Sequence, residues 1–278
     1  GRIEWTEPAG DPLSVALIQG NIPLAQKWLA QNRYLVAERY ARMSFELDGV
    51  DLVLWPESAI PAYRDELEAG FFQPLAEAAR ARRMDFLLGT VEREQIGNNT
   101  VLYNSAVAVG SGNGVYRKRH LVPLGEFLPL AAVSQWVFRT LEIPMSDFSS
   151  GPGRQLPIAL AGQKIGVSIC YEAAFGEEII DTLPEATLLA NLSEDAWFGD
   201  SLGPHQHLQM ARMRARETER PLLRATNSGI SAIVDARGAL TARSAQFRTE
   251  VIRGAAQPRR GVTPYARRGN YPMLLLSV

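Results

Sequence analysis

The 278-residue sequence has one cysteine, Cys170, so no disulfide can form within the chain. It has three histidines, which are too few and too scattered to suggest the four clustered ligands of a zinc site. Of these, His205 and His207 would face apart on a helix, and we interpret both as ordinary polar residues. The formal net charge of −1 gives no general electrostatic reason to bind nucleic acid.

Long hydrophobic runs are absent as well, and none approaches the ~20 apolar residues that a membrane-spanning helix needs. The C-terminus is nevertheless unusual. A basic, turn-rich stretch at 259–270 is followed by the Leu-rich sequence 271–278. Basic and aromatic residues before a Leu-rich run are typical of a transmembrane helix at the membrane interface. A short closing strand or a docked tail fits these residues equally well.

Lysine is scarce, because the 29 basic residues include only Lys27, Lys118 and Lys164. In a sequence that strongly prefers arginine, each lysine raises the question of whether a compact ammonium group is required. Lys118 lies between Arg117 and Arg119, so a need for positive charge alone does not explain it.

Short apolar runs alternate with longer helical patterns along the chain. The runs are continuous rather than alternating, which indicates sheets covered on both faces, and the strand–helix order indicates α/β layers. The predicted strands are 14–20, 51–56, 85–91, 103–110, 164–169, 186–193, 222–226, 229–235 and 251–256, and the predicted helices are 26–47, 70–83 and 203–220. The stretch 124–152 breaks this rhythm and carries Trp136 and Phe138, so we interpret it as an inserted excursion.

Three stretches carry residues suited to catalysis. Glu57 directly follows a buried strand, where α/β enzymes place chemistry, and partial burial would make it a usable general base. Lys118 offers a compact donor for a developing oxyanion, and Glu126 could hold it in place or share in proton transfer. Cys170 ends a strand just before a helix, the geometry of a nucleophile elbow. Each residue taken singly has a more common interpretation. Glu57 would be a turn carboxylate, Lys118 would lie on a solvated basic strand, and Cys170 would be a buried structural cysteine.

Taken together, the three stretches resemble a known triad. Glu57, Lys118 and Cys170, in this order and each at a strand end, are similar to the Glu–Lys–Cys triad of the nitrilase, or carbon–nitrogen hydrolase, superfamily. Several short sequence motifs are more specific. They resemble the nitrilase-like domain of one branch of this superfamily, the bacterial apolipoprotein N-acyltransferase family. They are the sequences at 19–23, 55–61, 118–127, 170–172, 195–201, 209–215 and 220–229. Glu194 departs from the family, which often carries Asn there.

The resemblance implies a four-layer α-β-β-α sandwich and an acyltransferase without cofactor or metal. It implies a phospholipid acyl donor, a diacylglyceryl lipoprotein acceptor and a place on the periplasmic side of the bacterial inner membrane. We expect a monomer with no nucleic-acid partner. We further expect residues 1–13 to link to a missing membrane bundle, 14–258 to form the catalytic domain, and 259–278 to connect to a C-terminal transmembrane helix, which decides the question left open above.

The resemblance also assigns roles to residues. Glu57, Lys118 and Cys170 are the expected catalytic residues, supported by Glu126, Tyr171, Glu172 and Trp28. For Trp28, an aromatic staple on the first helix is an equal alternative. We expect the lipid-contacting arms to carry four aromatic residues, namely Trp136, Phe138, Trp197 and Phe198.

Two rival functions remain at this point. A soluble nitrilase-family amidase would use the same triad on a small C–N substrate, but the aromatic excursion and the Leu-rich end speak against it. A non-catalytic scaffold would be expected if a triad position were replaced, and none is.

Overall fold

The computed structural model describes residues 3–123, 125–126 and 148–277. Its strands form two large sheets and one two-stranded ribbon. In chain order the strands are β1 Thr6–Pro8, β2 Leu13–Gln19, β3 Leu52–Leu54, β4 Ile60–Tyr63, β5 Asp85–Ile96, β6 Asn99–Val109, β7 Val115–Arg117, β8 Ile158–Leu160, β9 Gln163–Ile169, β10 Leu188–Ser193, β11 Leu222–Thr226, β12 Ala232–Val234, β13 Leu240–Arg243, β14 Glu250–Ala256 and β15 Arg259–Gly261.

The α-helices of the described residues are α1 Leu24–Lys27, α2 Arg33–Phe45, α3 Arg64–Leu67, α4 Gln73–Arg82, α5 Gly176–Ile180, α6 Gly203–Thr218, α7 Pro264–Arg268 and α8 Tyr271–Leu276. Short 3₁₀ turns cover Ala30–Asn32, Cys170–Ala174 and Ala196–Phe198, and a π-helical turn covers Glu68–Phe72.

The first large sheet has the strand order β14-β2-β3-β5-β6-β7, with β4 pairing β5, and the second has the order β13-β12-β11-β10-β9-β8. The central strands β2, β3 and β5 run parallel, as do β9, β10 and β11. Parallel strands bring their carboxyl ends to one edge of a sheet. The residues that follow β3 and β9 therefore lie at such edges.

Three hydrophobic clusters separate four layers. One cluster packs α2 and α4 against the outer face of the first sheet, and a second fills the space between the two sheets. The third packs α6 against the outer face of the second sheet. Strand β2 serves two clusters at once, because Ala16 and Ile18 face the helices while Val15 and Leu17 face the other sheet. The predicted α-β-β-α sandwich is confirmed.

Most predicted strands lie within two or three residues of the observed ones, but two helix predictions were wrong in their bounds. The predicted helix 26–47 is broken into α1, a 3₁₀ turn and α2, since Leu29 adopts an extended conformation. The predicted helix 70–83 begins as a π-helical turn, and its α-helical part starts at Gln73 with Pro74 in the first turn. The strands β5 and β6 extend beyond their predicted ends as a long hairpin.

Most of the predicted excursion 124–152, including Trp136 and Phe138, lies outside the described residues. At the C-terminus, α8 exposes Tyr271, Leu274 and Leu275. Within the described part of the chain, no helix has both the length and the apolar character needed to cross a membrane.

Candidate active site

Glu57 lies in a tight turn immediately after β3. Trp55 before it is fully buried, and its indole nitrogen donates to the hydroxyl of Ser44 at 2.9 Å. Ser58 after it adopts a positive φ of 48°, which reverses the chain. Gly89 lies directly beneath, and a Cβ there would collide with the backbone of this turn. The Glu57 carboxylate is thereby fixed at the strand end, where it is 7% exposed.

Lys118 follows β7 and is 1% exposed. Its Nζ lies 3.2 Å from Glu57 Oε1 and 2.8 Å from Glu126 Oε2, so one ammonium group contacts two carboxylates. Asn104 on β6 completes the arrangement. Its Nδ2 donates to Glu57 Oε1 at 2.7 Å and to Glu126 Oε1 at 2.9 Å. A lysine amine surrounded in this way is held rigidly and keeps its charge.

Cys170 ends β9 and begins the 3₁₀ turn Cys170–Ala174. Its φ of 50° lies in the left-handed region that non-glycine residues rarely adopt. Such strain is typical of functional positions that the surrounding structure holds in place. The partly buried thiol is thus presented on a sharp strand-to-helix turn, as the sequence predicts.

The thiol lies within electrostatic reach of both charged groups. Burial and the negative charge of Glu57 raise the pKa of Cys170 to about 12, while Lys118 opposes this rise. Burial alone would lower the pKa of Lys118, but the negative charges of Glu57, Cys170 and Glu126 outweigh it and raise that pKa. A neutral thiol at this position would need a base to react as a nucleophile, and Glu57 is the carboxylate whose charge acts on it most strongly.

Glu172 joins the cysteine turn to the lysine segment. One of its oxygens accepts from the backbone amides of Arg119 at 2.7 Å and His120 at 3.1 Å. The other accepts from the amide of Ile169 at 2.7 Å and the hydroxyl of Tyr116 at 2.9 Å. Burial of this carboxyl raises its pKa, against the effect of the amide donors. Glu172 therefore connects the Cys170 turn to the backbone of the segment that carries Lys118.

A buried polar network that sequence reasoning missed lies behind Cys170. Asp195 accepts from Arg224 at 2.9 Å and contacts Nδ1 of His207 at 2.9 Å. His207 Nε2 lies 3.0 Å from the carbonyl oxygen of Cys170. Burial would raise the pKa of Asp195, but Arg224 and His207 together hold it well below its ordinary value. The network supports the strained backbone of Cys170 from the side of α6.

From the sequence, we interpret His207 as an ordinary polar residue, but in the structure it contacts the carbonyl oxygen of Cys170. It is buried while His205 is exposed, so the two face apart as predicted. Nothing in the local sequence indicates that β9, β10 and α6 would bring His207 to the nucleophile. Asn104 was missed for the same reason, because it lies within an apolar strand and its role depends on the neighbouring β7.

Four further predicted site residues of the described part of the chain are exposed, namely Trp28, Tyr171, Trp197 and Phe198. Trp28 is the C-cap residue of α1 and is 44% exposed. Tyr171 is partly exposed and packs edge-on against Phe175, with ring centroids 5.0 Å apart. Trp197 and Phe198 are exposed on the 3₁₀ turn that follows β10. These side chains present an apolar surface near the polar centre.

The charge arrangement makes a prediction about thiol ionisation. Replacing Glu57 with Gln removes a negative charge that disfavours the thiolate, so the pKa of Cys170 falls and alkylation by iodoacetamide at about pH 8 speeds up. Replacing Lys118 with Met removes the opposing positive charge, so alkylation slows. Labelling of the single cysteine is followed by intact mass spectrometry, with Glu185→Gln on the exposed surface as control. Slower labelling of Glu57→Gln would contradict the arrangement.

The fold and the site together define a class. A family model described as carbon-nitrogen hydrolase matches residues 14–265, and the chain belongs to this family. Solved structures agree on the fold. A carbon-nitrogen hydrolase from Helicobacter pylori G27 superposes with a TM-score of 0.64 at 16% identity, covering 96% of this chain and 94% of that one. Nit3 of Saccharomyces cerevisiae gives 0.63 at 20% identity, covering 93% of each.

Curated relatives are more similar in sequence. The apolipoprotein N-acyltransferase of Methylococcus capsulatus is 45% identical over 98% of this chain, and that of Nitrosomonas europaea is 46% identical over 97%. In both cases the chain spans about half of the relative's length, 54%.

Proposed function

We propose that this chain is the catalytic domain of an apolipoprotein N-acyltransferase. It would transfer an acyl chain from a phospholipid, through a thioester on Cys170, to the N-terminal amine of a diacylglyceryl-cysteine lipoprotein. The observation that carries the proposal is the contact of Lys118 with Glu57 beside the strained Cys170 turn. The acyltransferase names of relatives at 45–46% identity support it, and they do not favour the amidase alternative.

The first half-reaction acylates the enzyme. Glu57 accepts the thiol proton as Cys170 Sγ attacks the ester carbonyl carbon of the phospholipid. Lys118 Nζ and the backbone N–H of Tyr171 stabilise the negative charge on the carbonyl oxygen. The intermediate collapses as the carbon–oxygen bond breaks, and Glu57 returns the proton to the departing lysophospholipid.

The second half-reaction regenerates the thiol. The lipoprotein amine attacks the thioester carbonyl, and Glu57 accepts the proton that the amine loses. The carbon–sulfur bond then breaks, and the proton passes from Glu57 to the Cys170 sulfur. Atoms and charges balance, and Glu57 ends each half-reaction in the state in which it began.

The exposed aromatic residues suit a lipid substrate. Trp28, Trp197 and Phe198 are each more than 40% exposed on segments adjoining Glu57 and β10. Large exposed apolar side chains that surround a polar centre indicate contact with an apolar partner. We assign these side chains to the acyl chains of the phospholipid, at the periplasmic face of the bacterial inner membrane.

Intact mass spectrometry after incubation with phospholipid micelles tests the function. The chain should gain the mass of one acyl group, and hydroxylamine should remove it because a thioester is labile to that nucleophile. An added acyl-accepting peptide that carries diacylglyceryl-cysteine should discharge the adduct. A chain that hydrolyses a small amide but gains no acyl mass would overturn the proposal.

The same measurement checks the aromatic contact. Trp197→Ser should slow adduct formation at limiting lipid, and saturating lipid should restore the rate, since the indole contributes to binding rather than to chemistry. Trp5→Ser, at a tryptophan that is 47% exposed on the N-terminal segment, is the matched control.

A further inference from the structure

Lys27 is the second buried lysine of the described residues, and the mechanism above does not use it. It is 1% exposed at the end of α1. Its Nζ lies 2.7 Å from Glu194 Oε2, and Glu194 is also buried, at 5% exposed. The same Nζ donates to the backbone carbonyl oxygen of Glu57 at 3.0 Å. A buried ammonium group therefore bridges two segments of the site.

Glu194 extends this bridge to a third segment. It directly follows β10, whose last residue, Ser193, donates a hydrogen bond to Asp195 in the network behind Cys170. Its second oxygen, Oε1, accepts from the backbone amide of Ala196 at 3.2 Å. That amide begins the 3₁₀ turn carrying Trp197 and Phe198. One carboxylate thus connects Lys27 to the turn of the exposed aromatic residues.

The two charges match in a way that explains the residue types. A buried carboxylate at position 194 needs a cation, and a buried ammonium at position 27 needs an anion. The arginine preference of this sequence makes a lysine here informative, since a compact ammonium reaches both Glu57 and Glu194 where a planar guanidinium would need more room. Charge compensation and placement of the Glu57 backbone are thus combined in one side chain.

Building on the proposed acyl transfer, we propose that the Lys27–Glu194 ion pair is a positioning device that holds the general base Glu57, and the Ala196–Phe198 turn, in place for acylation of Cys170. Neither residue touches the reacting atoms in this scheme. The pair acts through the Glu57 backbone and through the aromatic turn.

A charge-neutral double replacement separates this role from a purely structural one. Removing the charge of Lys27 or of Glu194 alone leaves the other charge buried and unpaired, which destabilises the fold. Lys27→Met/Glu194→Gln removes both charges, so the melting temperature should return close to that of the parent chain. Because one positive and one negative charge are removed together, their direct electrostatic effects on Glu57 and Cys170 largely cancel. The Glu57 carbonyl still loses its donor, so its carboxylate is less well placed beside the thiol.

Two measurements on the 278-residue chain report the displacement. The negative charge of Glu57 disfavours the Cys170 thiolate, and a displaced carboxylate does so less strongly. Iodoacetamide should therefore label Cys170 roughly threefold faster at about pH 8 in the double variant. Acyl-adduct formation with phospholipid micelles should slow about tenfold or more, because small misplacements of catalytic groups are costly. The control Lys164→Met/Glu185→Gln makes the same changes at exposed positions and should alter neither rate.

The outcomes are decisive in both directions. A double variant with restored melting temperature and unchanged labelling and acylation rates overturns the proposal, because the pair would then be structural only. If the Gln variant does not fold, Lys27→Met/Glu194→Met fills the space with apolar side chains and is held to the same expectations. If the parent chain gains no acyl mass, the proposed function fails, while the labelling rates still decide the positioning role.

Discussion

Replacing Cys170 with serine should abolish the acyl adduct. The serine hydroxyl is far less acidic than the thiol, and the buried Glu57 carboxylate is too weak a base to activate it. Loss of a catalytic nucleophile typically lowers turnover by about 10⁶-fold. Phospholipid micelles should therefore add no acyl mass to Cys170→Ser, and no transfer to a lipoprotein peptide should be detected.

The substitution is nearly isosteric, so the fold should persist. Serine accepts a left-handed backbone, as Ser58 does in this chain, and the Cys170 carbonyl oxygen keeps its contacts with Asn191 and His207. The melting temperature should stay close to that of the parent chain, which separates loss of chemistry from loss of structure. An acyl adduct on Cys170→Ser, formed at the parent rate, would show that another residue is the nucleophile.

The sequence predicts the layers of the fold because burial on two faces leaves a local signature. The runs that form β2 and β10 are buried except at Ser14, and the alternation of strands and helices selects a sandwich. Helix interruptions are less visible. The break between α1 and α2 falls at the extended Leu29, next to the exposed Trp28, and no proline or glycine between residues 24 and 45 marks it in the sequence.

The catalytic candidates could be named from sequence because each lies in a distinctive short sequence motif at the end of a strand. Their partners could not. Asn104 contacts both carboxylates because β6 pairs with β7 on one side and, through β5, neighbours β3 on the other. His207 reaches the Cys170 carbonyl because α6 packs on the second sheet. Lys27 stood out by composition alone, but its pairing with a carboxylate 167 residues further along the chain is a property of the tertiary structure. Long-range pairing of this kind has no local pattern.

Glu194 shows how a departure from a family pattern acquires meaning in three dimensions. In the sequence it is a charged residue where the family often carries Asn. In the structure its charge is compensated by Lys27, and its two oxygens join α1 to the aromatic turn. A variation that looks tolerated in one dimension is therefore part of a specific ion pair.

Replacing Lys118 with methionine should be nearly as damaging as loss of the nucleophile, for a different reason. The ammonium group is the proposed donor to the oxyanion, and removal of such a donor costs about 2.7–4 kcal/mol of transition-state stabilisation, or about 10²–10³-fold in rate. The change also leaves Glu57 and Glu126 facing each other without their shared cation, so the two carboxylates repel each other and Glu57 is less well placed to act as a base.

Stability and chemistry can be separated at this position. Lys118→Met should melt at a lower temperature, because the buried Glu57 and the partly buried Glu126 lose their counter-charge, and Lys118→Met/Glu126→Gln should recover much of that loss. The rate of acyl-adduct formation, measured below the melting range, should stay low in both variants, since neither restores the donor. Lys164→Met controls for the substitution itself at an exposed lysine. Recovery of the rate together with stability would assign Lys118 to charge balance rather than to oxyanion stabilisation.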